Sequence, residues 1–452
     1  MPRTKVIATY GPSLGTEYNL LGVLKHADII RLNFSHGTLG EKAEAIRRIR
    51  EAADGLDKDI AILADLPGPK IRVSNLEHPI HIMKGDNVAF NYKKRAAGKD
   101  IPIDLDIYED VKKGSELYIG DGQPKLLVTG VSEGRIMCKA LQDGEIGSRK
   151  GINVKGSSLS AEPPTGDDMD SAKFAMENNL DFIALSFVKS AANVKKIRKA
   201  APGIGIISKI EREEAISNIE SIANASDGIM IARGDMALNI DFSKVPLVQD
   251  RIIEVCRKAK KPVIVATQML GSMTANQTPT RAEMTDVANA VKSGVDCVML
   301  SDETAVGNYP VDTIQAMSNL LSYTEDEMPS QFNLKKQASS GHEGIALAAA
   351  SISYTCDLHC IFVPTHSGAT AKMLSNLRPE STIIALSESD KMRRSLALYY
   401  GIIGAKPKKE DGEGAPDVKA YARKFGIKSY MLVYGHKSNG STSDAIRCFW
   451  GK

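Results

Sequence analysis

Lys209 and Glu211 stand two residues apart at the end of an apolar run of this sequence. Positions i and i+2 of a β-strand lie on one face, so the ammonium and the carboxylate would point the same way. A cation beside a carboxylate suits a site that binds a metal ion together with a phosphoryl group. A structural ion pair would have the same spacing, so spacing alone leaves both interpretations open.

Comparable side chains follow other apolar runs of the sequence. Six runs end in side chains that can carry charge, bind ions or move protons: Arg31, Asn33 and Ser35; Asp65; Lys209 and Glu211; Arg233 and Asp235; Thr267; Ser301. If polar residues only marked where buried strands stop, one or two such cases would be expected rather than six. The strand ends therefore predict one shared site.

Eight short apolar runs alternate with amphipathic segments, a pattern typical of parallel α/β folds. The runs are KVIAT (5–9), IIRLN (29–33), IAILAD (60–65), FIALSF (182–187), IGIISK (204–209), GIMIAR (228–233), VIVATQ (263–268) and CVMLS (297–301). Eight such units predict a (β/α)8 TIM barrel, and a doubly wound open sheet is the competing fold. Barrel enzymes build their sites at the carboxyl ends of the strands, so the polar residues favour the barrel.

Two further regions interrupt or follow this pattern. Residues 70–152 are rich in glycine turns and short alternating strands, which predicts a small all-β domain, a β-barrel lid, inserted after the third strand. The alternative is a passive decoration of the barrel. A polar linker near residue 330 precedes another α/β pattern. We therefore expect a barrel over 1–69 and 153–330, a lid over 70–152, and a C-terminal α/β domain over 331–452.

Composition excludes several classes of protein. The 452 residues carry a net charge of +3, too little to indicate binding to nucleic acid or to a membrane surface. The N-terminal residues lack the apolar region of a signal peptide, and no run of about 18 apolar residues predicts a membrane span. The six cysteines are scattered, mostly inside apolar runs, as in a cytoplasmic protein with reduced thiols. Cys356 and Cys360 flank His359, but no second ligand pair follows to complete a zinc site.

Seven segments resemble the pyruvate kinase family in that family's order. They are TKVIATYGPS (4–13), RLNFSHG (31–37), ADLPGPKIR (64–72), SKIE (208–211), ARGDM (232–236), ATQML (266–270) and LSDETAVGNYP (300–310). The resemblance implies Mg²⁺-dependent phosphoryl transfer from phosphoenolpyruvate to ADP, giving ATP and pyruvate in glycolysis. It also implies the lid, an effector and assembly role for the C-terminal domain, and a cytoplasmic homotetramer.

The same resemblance implies roles for individual residues. Glu211 and Asp235 would bind Mg²⁺, for which Mn²⁺ can substitute. Arg31 and Lys209 would bind the phosphoryl group and act in catalysis, and Gly234, Asp235 and Thr267 would bind the substrate. Enolpyruvate would be protonated through water near Thr267 and Ser301. The nucleotide would be bound by His36, Arg72 and Asn33. As alternatives, His36 could contact a helix N-terminus, and the hydroxyls of Thr267 and Ser301 could bond the backbone.

One departure concerns the monovalent cation. Many members bind K⁺ near the positions of Asn33, Ser35, Asp65 and Leu66, and carry an acidic residue where this chain has Lys70. Leu66 also replaces a common threonine. A lysine ammonium is a tethered monovalent cation, so we expect Lys70 to substitute for K⁺ and the enzyme not to require K⁺. The alternative is a surface lysine that points to solvent.

The C-terminal domain carries two segments that resemble an effector site. THSGATA (365–371) would place Thr365, Ser367 and Gly368 at a helix N-terminus, which attracts phosphate. NGSTSD (439–444) would add Gly440 and Ser441. A phosphorylated effector is therefore expected, although Ala369 departs from the pattern and Ser367 could be an ordinary N-cap.

Two other functions compete with this interpretation. A Mg²⁺-dependent carbon–carbon lyase would also use a Glu and Asp metal pair, but it would need neither the lid nor the segment around Arg72. A metabolite sensor without catalytic activity could lose Lys209, Glu211 and Asp235, yet all three are present.

Overall fold

The structure is a computed structural model that describes residues 2–92, 100–120, 122–132, 134–155, 160–328, 331, 337–338, 340–407, 418–424, 426–434 and 445–450. The strands within these residues are β1 (Lys5–Thr9), β2 (Ile29–Asn33), β3 (Ala61–Asp65), β4 (Ile71–Arg72), β5 (Ile80–Ile82), β6 (Asn87–Tyr92), β7 (Asp100–Ile103), β8 (Glu116–Ile119), β9 (Lys125–Ser132), β10 (Arg135–Ala140), β11 (Gly144–Ile146), β12 (Gly151–Val154), β13 (Phe182–Leu185), β14 (Gly205–Ile210), β15 (Gly228–Ala232), β16 (Val263–Ala266), β17 (Cys297–Leu300), β18 (Cys360–Pro364), β19 (Thr382–Leu386), β20 (Ile402–Ala405), β21 (Ser429–Tyr434) and β22 (Ala445–Trp450).

The helices connect these strands. The α-helices are α1 (Glu17–Leu24), α2 (Leu39–Gly55), α3 (Gly166–Glu177), α4 (Ala191–Ala200), α5 (Glu213–Ser217), α6 (Ile219–Ala225), α7 (Arg233–Asn239), α8 (Val245–Lys258), α9 (Arg281–Ser293), α10 (Asp302–Ala305), α11 (Pro310–Glu327), α12 (Gly341–Thr355), α13 (Ala369–Asn376), α14 (Asp390–Ser395) and α15 (Val418–Lys424). Short 3₁₀ helices cover Pro12–Leu14, Phe242–Lys244, Gly271–Thr274 and Leu396–Leu398. In this described part of the chain, no helix has the length and apolar character needed to cross a bilayer.

Eight parallel strands close into a barrel in the order β1-β17-β16-β15-β14-β13-β3-β2. Each of the eight predicted apolar runs overlaps one of these strands, so the predicted barrel is confirmed. The doubly wound sheet is excluded because β1 pairs with both β2 and β17. These strands are apolar on both faces because helices cover the outside while side chains such as Ile7, Leu63 and Met299 fill the inside.

A second all-β unit interrupts the barrel between β3 and β13. Its seven-stranded sheet has the order β4-β12-β8-β9-β10-β6-β7 and encloses its own apolar core. A single bridge between Val73 and Ile103 joins the two edges of the sheet, with Ser74 N donating to Pro102 O at 2.8 Å. The last strand, β12, ends at Val154, close to the expected border at 152; the exact domain borders stay predictions.

The C-terminal unit is an α/β layer with strand order β20-β19-β18-β21-β22. It docks on the amino-terminal end of the barrel. Arg393 Nε lies 2.6 Å from Asp59 Oδ2, and Arg394 Nε donates to Asp181 Oδ1 at 2.8 Å. Between these units the Leu396–Leu398 turn inserts Leu398, fully buried, into the apolar cluster of the barrel interior.

Replacing Leu398 with alanine should destabilise the protein by about 2–5 kcal/mol, because it removes a buried side chain and leaves a cavity at the base of the barrel. The midpoint of urea unfolding, compared with that of the wild type, measures the change. Leu39→Ala is the matched control, since Leu39 is 47% exposed and its loss should cost below about 0.5 kcal/mol. Equal unfolding midpoints for the two variants would show that burial of Leu398 in the barrel interior does not stabilise the protein.

Candidate active site

Asp65, at the end of β3, is the buried centre of the polar cluster. Its side chain binds two cations: Arg31 Nη2 lies 2.6 Å from Oδ2, and Lys209 Nζ lies 3.2 Å from Oδ1. Burial opposes ionisation of Asp65, but the charges of Lys209 and Arg31 outweigh it and lower the pKa of this carboxyl. Asp65 therefore stays ionised and fixes the two cations at the mouth of the barrel.

Lys209 and Glu211 do point the same way. Lys209 Nζ lies 3.0 Å from Glu211 Oε1 and donates to Ser186 Oγ at 2.8 Å. Its side chain is 11% exposed. Burial disfavours the charged amine, yet Asp65 and Glu211 more than compensate and raise the pKa of Lys209. The ammonium form is therefore favoured, and three oxygens hold it.

The carboxylates of Glu211 and Asp235 fit a hard divalent cation. Glu211 Oε2 accepts a hydrogen bond from Phe187 N at 2.6 Å, whereas buried Oε1 has no directed hydrogen bond, only the charge contact with Lys209. Burial, with a contribution from nearby Asp235, raises the pKa of Glu211. Mg²⁺ needs only one or two protein carboxylates and takes water and substrate oxygens for its other positions. The residues present therefore fit Mg²⁺.

No larger metal cluster competes with this pair. Across the described residues, no group of three or more His, Cys, Asp and Glu side chains is arranged to hold a metal ion. All six cysteines are unpaired, and Cys356 is exposed while Cys360 is buried. Cys356, His359 and Cys360 are thus not part of any such group within the described residues.

Lys70 lies inside the site. Its Nζ is 2.8 Å from Asp235 Oδ1, and its side chain is 24% exposed. Burial opposes ionisation of Asp235, but Lys70 and then Lys209 lower the pKa of that carboxyl. The interpretation of Lys70 as a lysine pointing to solvent is wrong. The tethered ammonium contacts a predicted metal ligand, Asp235, rather than Asp65.

The expected monovalent-cation residues meet where two strands adjoin. Asn33 on β2 pairs in register with Asp65 on β3, so these two are neighbours. Asn33 Oδ1 accepts from Ser35 N at 3.0 Å, and the carbonyl of Leu66 accepts from Ser186 Oγ at 2.6 Å. Strand order thus brings all four residues to one rim, where protein donors already engage oxygens of Asn33, Asp65 and Leu66.

Thr267 and Gly234 are joined by a hydrogen bond. Gly234 N donates to Thr267 Oγ1 at 2.8 Å, so for Thr267 the alternative of a hydroxyl bonding the backbone is realised. The φ angles of Thr267 and Gln268 are +72° and +54°. For a β-branched residue this is a genuine outlier, and such strain collects at functional sites. Arg233 Nη2 donates to Thr267 O at 2.9 Å and helps to hold the turn.

Ser301 follows β17 at the same rim. Its backbone N–H donates to Glu303 Oε2 at 2.6 Å, while Leu270 N donates to Glu303 Oε1 at 3.3 Å. Within the described residues the Ser301 hydroxyl makes no hydrogen bond. Buried Glu303 therefore ties the loops after β16 and β17 together and leaves that hydroxyl available.

His36 and Arg72 come from different units of the chain. Thr38, with Glu41, forms the capping box of α2, so His36 is not the N-cap. Burial and then the cation of Arg72, with Lys42 and Arg149 adding, lower the pKa of His36. A neutral imidazole among cations suits an anionic partner. Arg72 belongs to β4, so the inserted unit contributes directly to this end of the site.

Three residues that touch the site were missed from the sequence. Thr9 accepts from Arg31 Nη1 at 3.1 Å, Ser186 accepts from Lys209, and the amide of Phe187 binds Glu211. Ser186 directly follows FIAL, and Thr9 ends KVIAT. The strand-end rule used for the other residues would have found both. No sequence signal marks Phe187.

The expected effector residues lie apart from this cluster, in the loop between β18 and α13. Thr365 Oγ1 accepts from Gly368 N at 2.8 Å, and Ser367 Oγ lies 3.4 Å from Ala369 N. The N-cap of α13 is Gly368, with φ +74°, so the interpretation of Ser367 as the N-cap is wrong. Gly440 and Ser441 lie outside the described residues.

Comparisons with known proteins agree with this architecture. Family models described as "Pyruvate kinase, barrel domain" and "Pyruvate kinase, alpha/beta domain" match residues 1–314 and 343–436. The chain is 38% identical over 416 residues to a pyruvate kinase from Thermococcus litoralis, covering 88% of each chain. It is 39% identical over 417 residues to one from Bacillus licheniformis, covering 89% of this chain and 71% of that protein. A crystal structure of a pyruvate kinase from Cryptosporidium parvum matches at 32% identity with a TM-score of 0.91, covering 100% of this chain and 96% of that one.

Proposed function

The chain belongs to the pyruvate kinase family, and we propose that the side chains at the carboxyl ends of its barrel strands carry out the family's reaction. That reaction is the Mg²⁺-dependent transfer of a phosphoryl group from phosphoenolpyruvate to ADP, which yields ATP and pyruvate in glycolysis. Membership of this family of transferases disfavours the carbon–carbon lyase, and the intact Lys209, Glu211 and Asp235 disfavour the sensor.

The buried ammonium of Lys209 is the observation that carries the proposal. Phosphoryl transfer needs positioning and charge neutralisation more than covalent chemistry by the protein. Lys209 is preorganised by Asp65, Glu211 and Ser186, so it does not have to reorient as charge develops on the substrate. Arg31, held by Asp65, would bind the phosphoryl oxygens through its planar guanidinium.

Glu211 and Asp235 would hold the divalent cation. When bound there, Mg²⁺ neutralises charge on the phosphoryl group and on the enolate oxygen. Mn²⁺ can take the same oxygen ligands. The position of Glu211 Oε1 supports this assignment, because this buried oxygen makes only a charge contact with Lys209, 3.0 Å away, and a carboxylate oxygen can accept a second cation.

Thr267 and Ser301 would manage the proton that converts enolpyruvate to pyruvate. A hydroxyl is too weak an acid to donate that proton unaided, so a water relay between them is the better mechanism. Gly234, Asp235 and Thr267 would position the substrate. His36, Arg72 and Asn33 would bind the nucleotide phosphates, with the inserted lid closing over them.

We expect turnover without K⁺, because the Lys70 ammonium is already tethered at the site. The assay measures pyruvate formation from phosphoenolpyruvate and ADP with Mg²⁺, in buffer free of K⁺ and NH₄⁺. Adding KCl should change the rate by less than about twofold, because Lys70 supplies a compact point charge of its own. Lys70→Met should lose roughly 10²-fold in this buffer and regain activity with KCl, because a positioned charge is removed.

Lys84→Met is the matched control, since Lys84 is an exposed lysine of the same inserted unit. It should behave as the wild type with and without KCl. Wild-type turnover that is near zero without K⁺ and is restored by KCl would contradict the role of Lys70 while keeping the reaction.

Assembly and regulation are further proposals. The exposed apolar side chains Phe242 and Leu247, at 78% and 75% exposure, support burial against a second barrel within a homotetramer. Sedimentation should then give four times the 48.8 kDa chain mass, whereas a monomer would contradict it.

The effector site is a separate proposal. A phosphorylated effector would be bound by Thr365, Ser367 and Gly368, with Gly440 and Ser441. Activation by a phosphate ester that Thr365→Ala abolishes would test this site. We also propose a cytoplasmic location, on the basis of the proposed glycolytic reaction, and cell fractionation would test it.

A further inference from the structure

The ring of Phe187 lies near two cations at the edge of the metal site. Lys70 Nζ is 5.9 Å from the ring centroid, and Arg212 Cζ is 5.0 Å from the same point. Phe187 is 4% exposed and Arg212 is also 4% exposed. A cation over an aromatic face gains most when water is excluded, so the contact with buried Arg212 is the stronger and that with Lys70, whose side chain is 24% exposed, is the weaker.

The backbone of Phe187 is held in an unfavourable conformation. Its φ is +56°, which is rare for a bulky residue and is maintained only where the surroundings enforce it. In this conformation its N–H donates to Glu211 Oε2. The adjoining Gly68 leaves the necessary room, because a Cβ there would lie 2.9 Å from Phe187 Cδ2. The fold thus places both the amide and the ring of this residue.

Through these two groups Phe187 is linked to both predicted metal carboxylates, to Glu211 by direct contact and to Asp235 only through Lys70. Its amide binds Glu211 directly, and its ring faces the Lys70 ammonium that pairs with Asp235. The Lys70 stem runs past Gly151 of β12, where a Cβ would lie 2.9 Å from Lys70 Cε. The path of Lys70 to Asp235 is therefore bounded by a strand of the inserted unit and lies within reach of the Phe187 ring.

We propose that Phe187 is a positioning residue: its ring holds the Lys70 ammonium beside Asp235, and its amide holds Glu211. One residue then sets the geometry of both metal ligands and of the tethered cation. The proposal rests on the assignment of Glu211 and Asp235 as metal ligands. It has a consequence for the substrate-free protein, in which Lys70 and a divalent cation compete for Asp235.

The test measures Mn²⁺ binding to the substrate-free protein by electron paramagnetic resonance, so no turnover is needed. Phe187→Leu keeps the backbone amide but removes the aromatic face. It should tighten Mn²⁺ binding roughly three- to tenfold, because the competing ammonium is held less firmly. Phe187→Tyr keeps the aromatic face and should bind Mn²⁺ as the wild type does. In a Lys70→Met background, Phe187→Leu should cause no further change.

Phe174→Leu is the matched control, a partly buried phenylalanine of α3 that packs on Phe34 at 5.9 Å between ring centroids. It should leave Mn²⁺ binding unchanged. If circular dichroism shows that Phe187→Leu does not fold, Phe187→Met, which is flexible and of similar volume, takes its place.

Three results would overturn the proposal in different ways. Wild-type affinity in Phe187→Leu would show that the ring does not hold Lys70. A shift that persists in the Lys70→Met background would show that Phe187 acts on the metal by packing alone. A wild-type protein that binds no Mn²⁺ would refute the metal ligands themselves, and with them the role of Phe187.

Discussion

Replacing Lys209 with methionine should lower turnover by about 10³- to 10⁵-fold, the range seen when a cation that stabilises a transferring phosphoryl group is removed. Methionine keeps an unbranched side chain as far as the ε position and removes the ammonium group with its charge and donors. The loss should fall on turnover rather than on substrate affinity, because the ammonium acts where charge develops during transfer. Steady-state kinetics with saturating Mg²⁺, phosphoenolpyruvate and ADP measures both constants.

The same substitution should also cost stability. Asp65 and Glu211 would each lose a buried cationic partner at about 3 Å, and breaking a buried ion pair costs about 3–5 kcal/mol. Lys58→Met is the matched control: Lys58 is a partly buried lysine whose Nζ donates to the carbonyls of Leu24 and Ala27, away from the site. It should lose stability but keep its turnover per folded molecule. Retention of more than about a tenth of wild-type turnover in Lys209→Met would refute the central role of Lys209.

Glu211→Gln should weaken Mn²⁺ binding by more than about 100-fold. Loss of a residue that only hydrogen-bonds to a metal ligand typically weakens metal binding by roughly 10- to 100-fold, and loss of a ligand should cost more. The amide oxygen can still accept from Phe187 N, so the loop should keep its conformation. What is lost is the negative charge of the buried oxygen that has no directed hydrogen bond. Turnover at fixed Mg²⁺ should fall in parallel, and a titration of Mn²⁺ followed by electron paramagnetic resonance measures the binding change directly.

Glu325→Gln is the control for this change. Glu325 is also buried, but its carboxylate accepts from the backbone N–H groups of Arg3 and Thr4 at the amino-terminal end of the barrel. The amide should reduce stability there without altering Mn²⁺ affinity. Metal affinity in Glu211→Gln equal to that of the wild type would remove Glu211 from the ligand set.

The sequence was most informative about the barrel strands. Parallel strands buried on both faces must be apolar almost throughout, so runs such as VIVATQ stand out from the amphipathic helices between them. Their ends were predicted less well: FIALSF continues two residues past Leu185, where β13 ends. Those two residues, Ser186 and Phe187, leave the strand to contact Lys209 and Glu211. The strand prediction therefore concealed part of the site.

The insertion was recognised from its glycine turns, because turns that need a left-handed conformation select glycine. The positive φ angles of Gly85, Gly114 and Gly134 agree with that reasoning. The bridge between Val73 and Ile103 that joins the edges of its sheet had no local signal, since those residues are distant in sequence and meet only through the fold.

The sequence alone thus determined the order of the strands and helices and the types of the polar residues at the strand ends, because burial patterns and chemistry are properties of local segments. The tertiary structure decided which of those residues meet. Closure of the barrel brings Lys209 to Asp65, the inserted unit carries Lys70 to Asp235, and enforced left-handed conformations at Thr267 and Phe187 aim a hydroxyl and an amide. Such contacts join residues far apart in the chain, so they follow from packing of the whole molecule rather than from any local pattern.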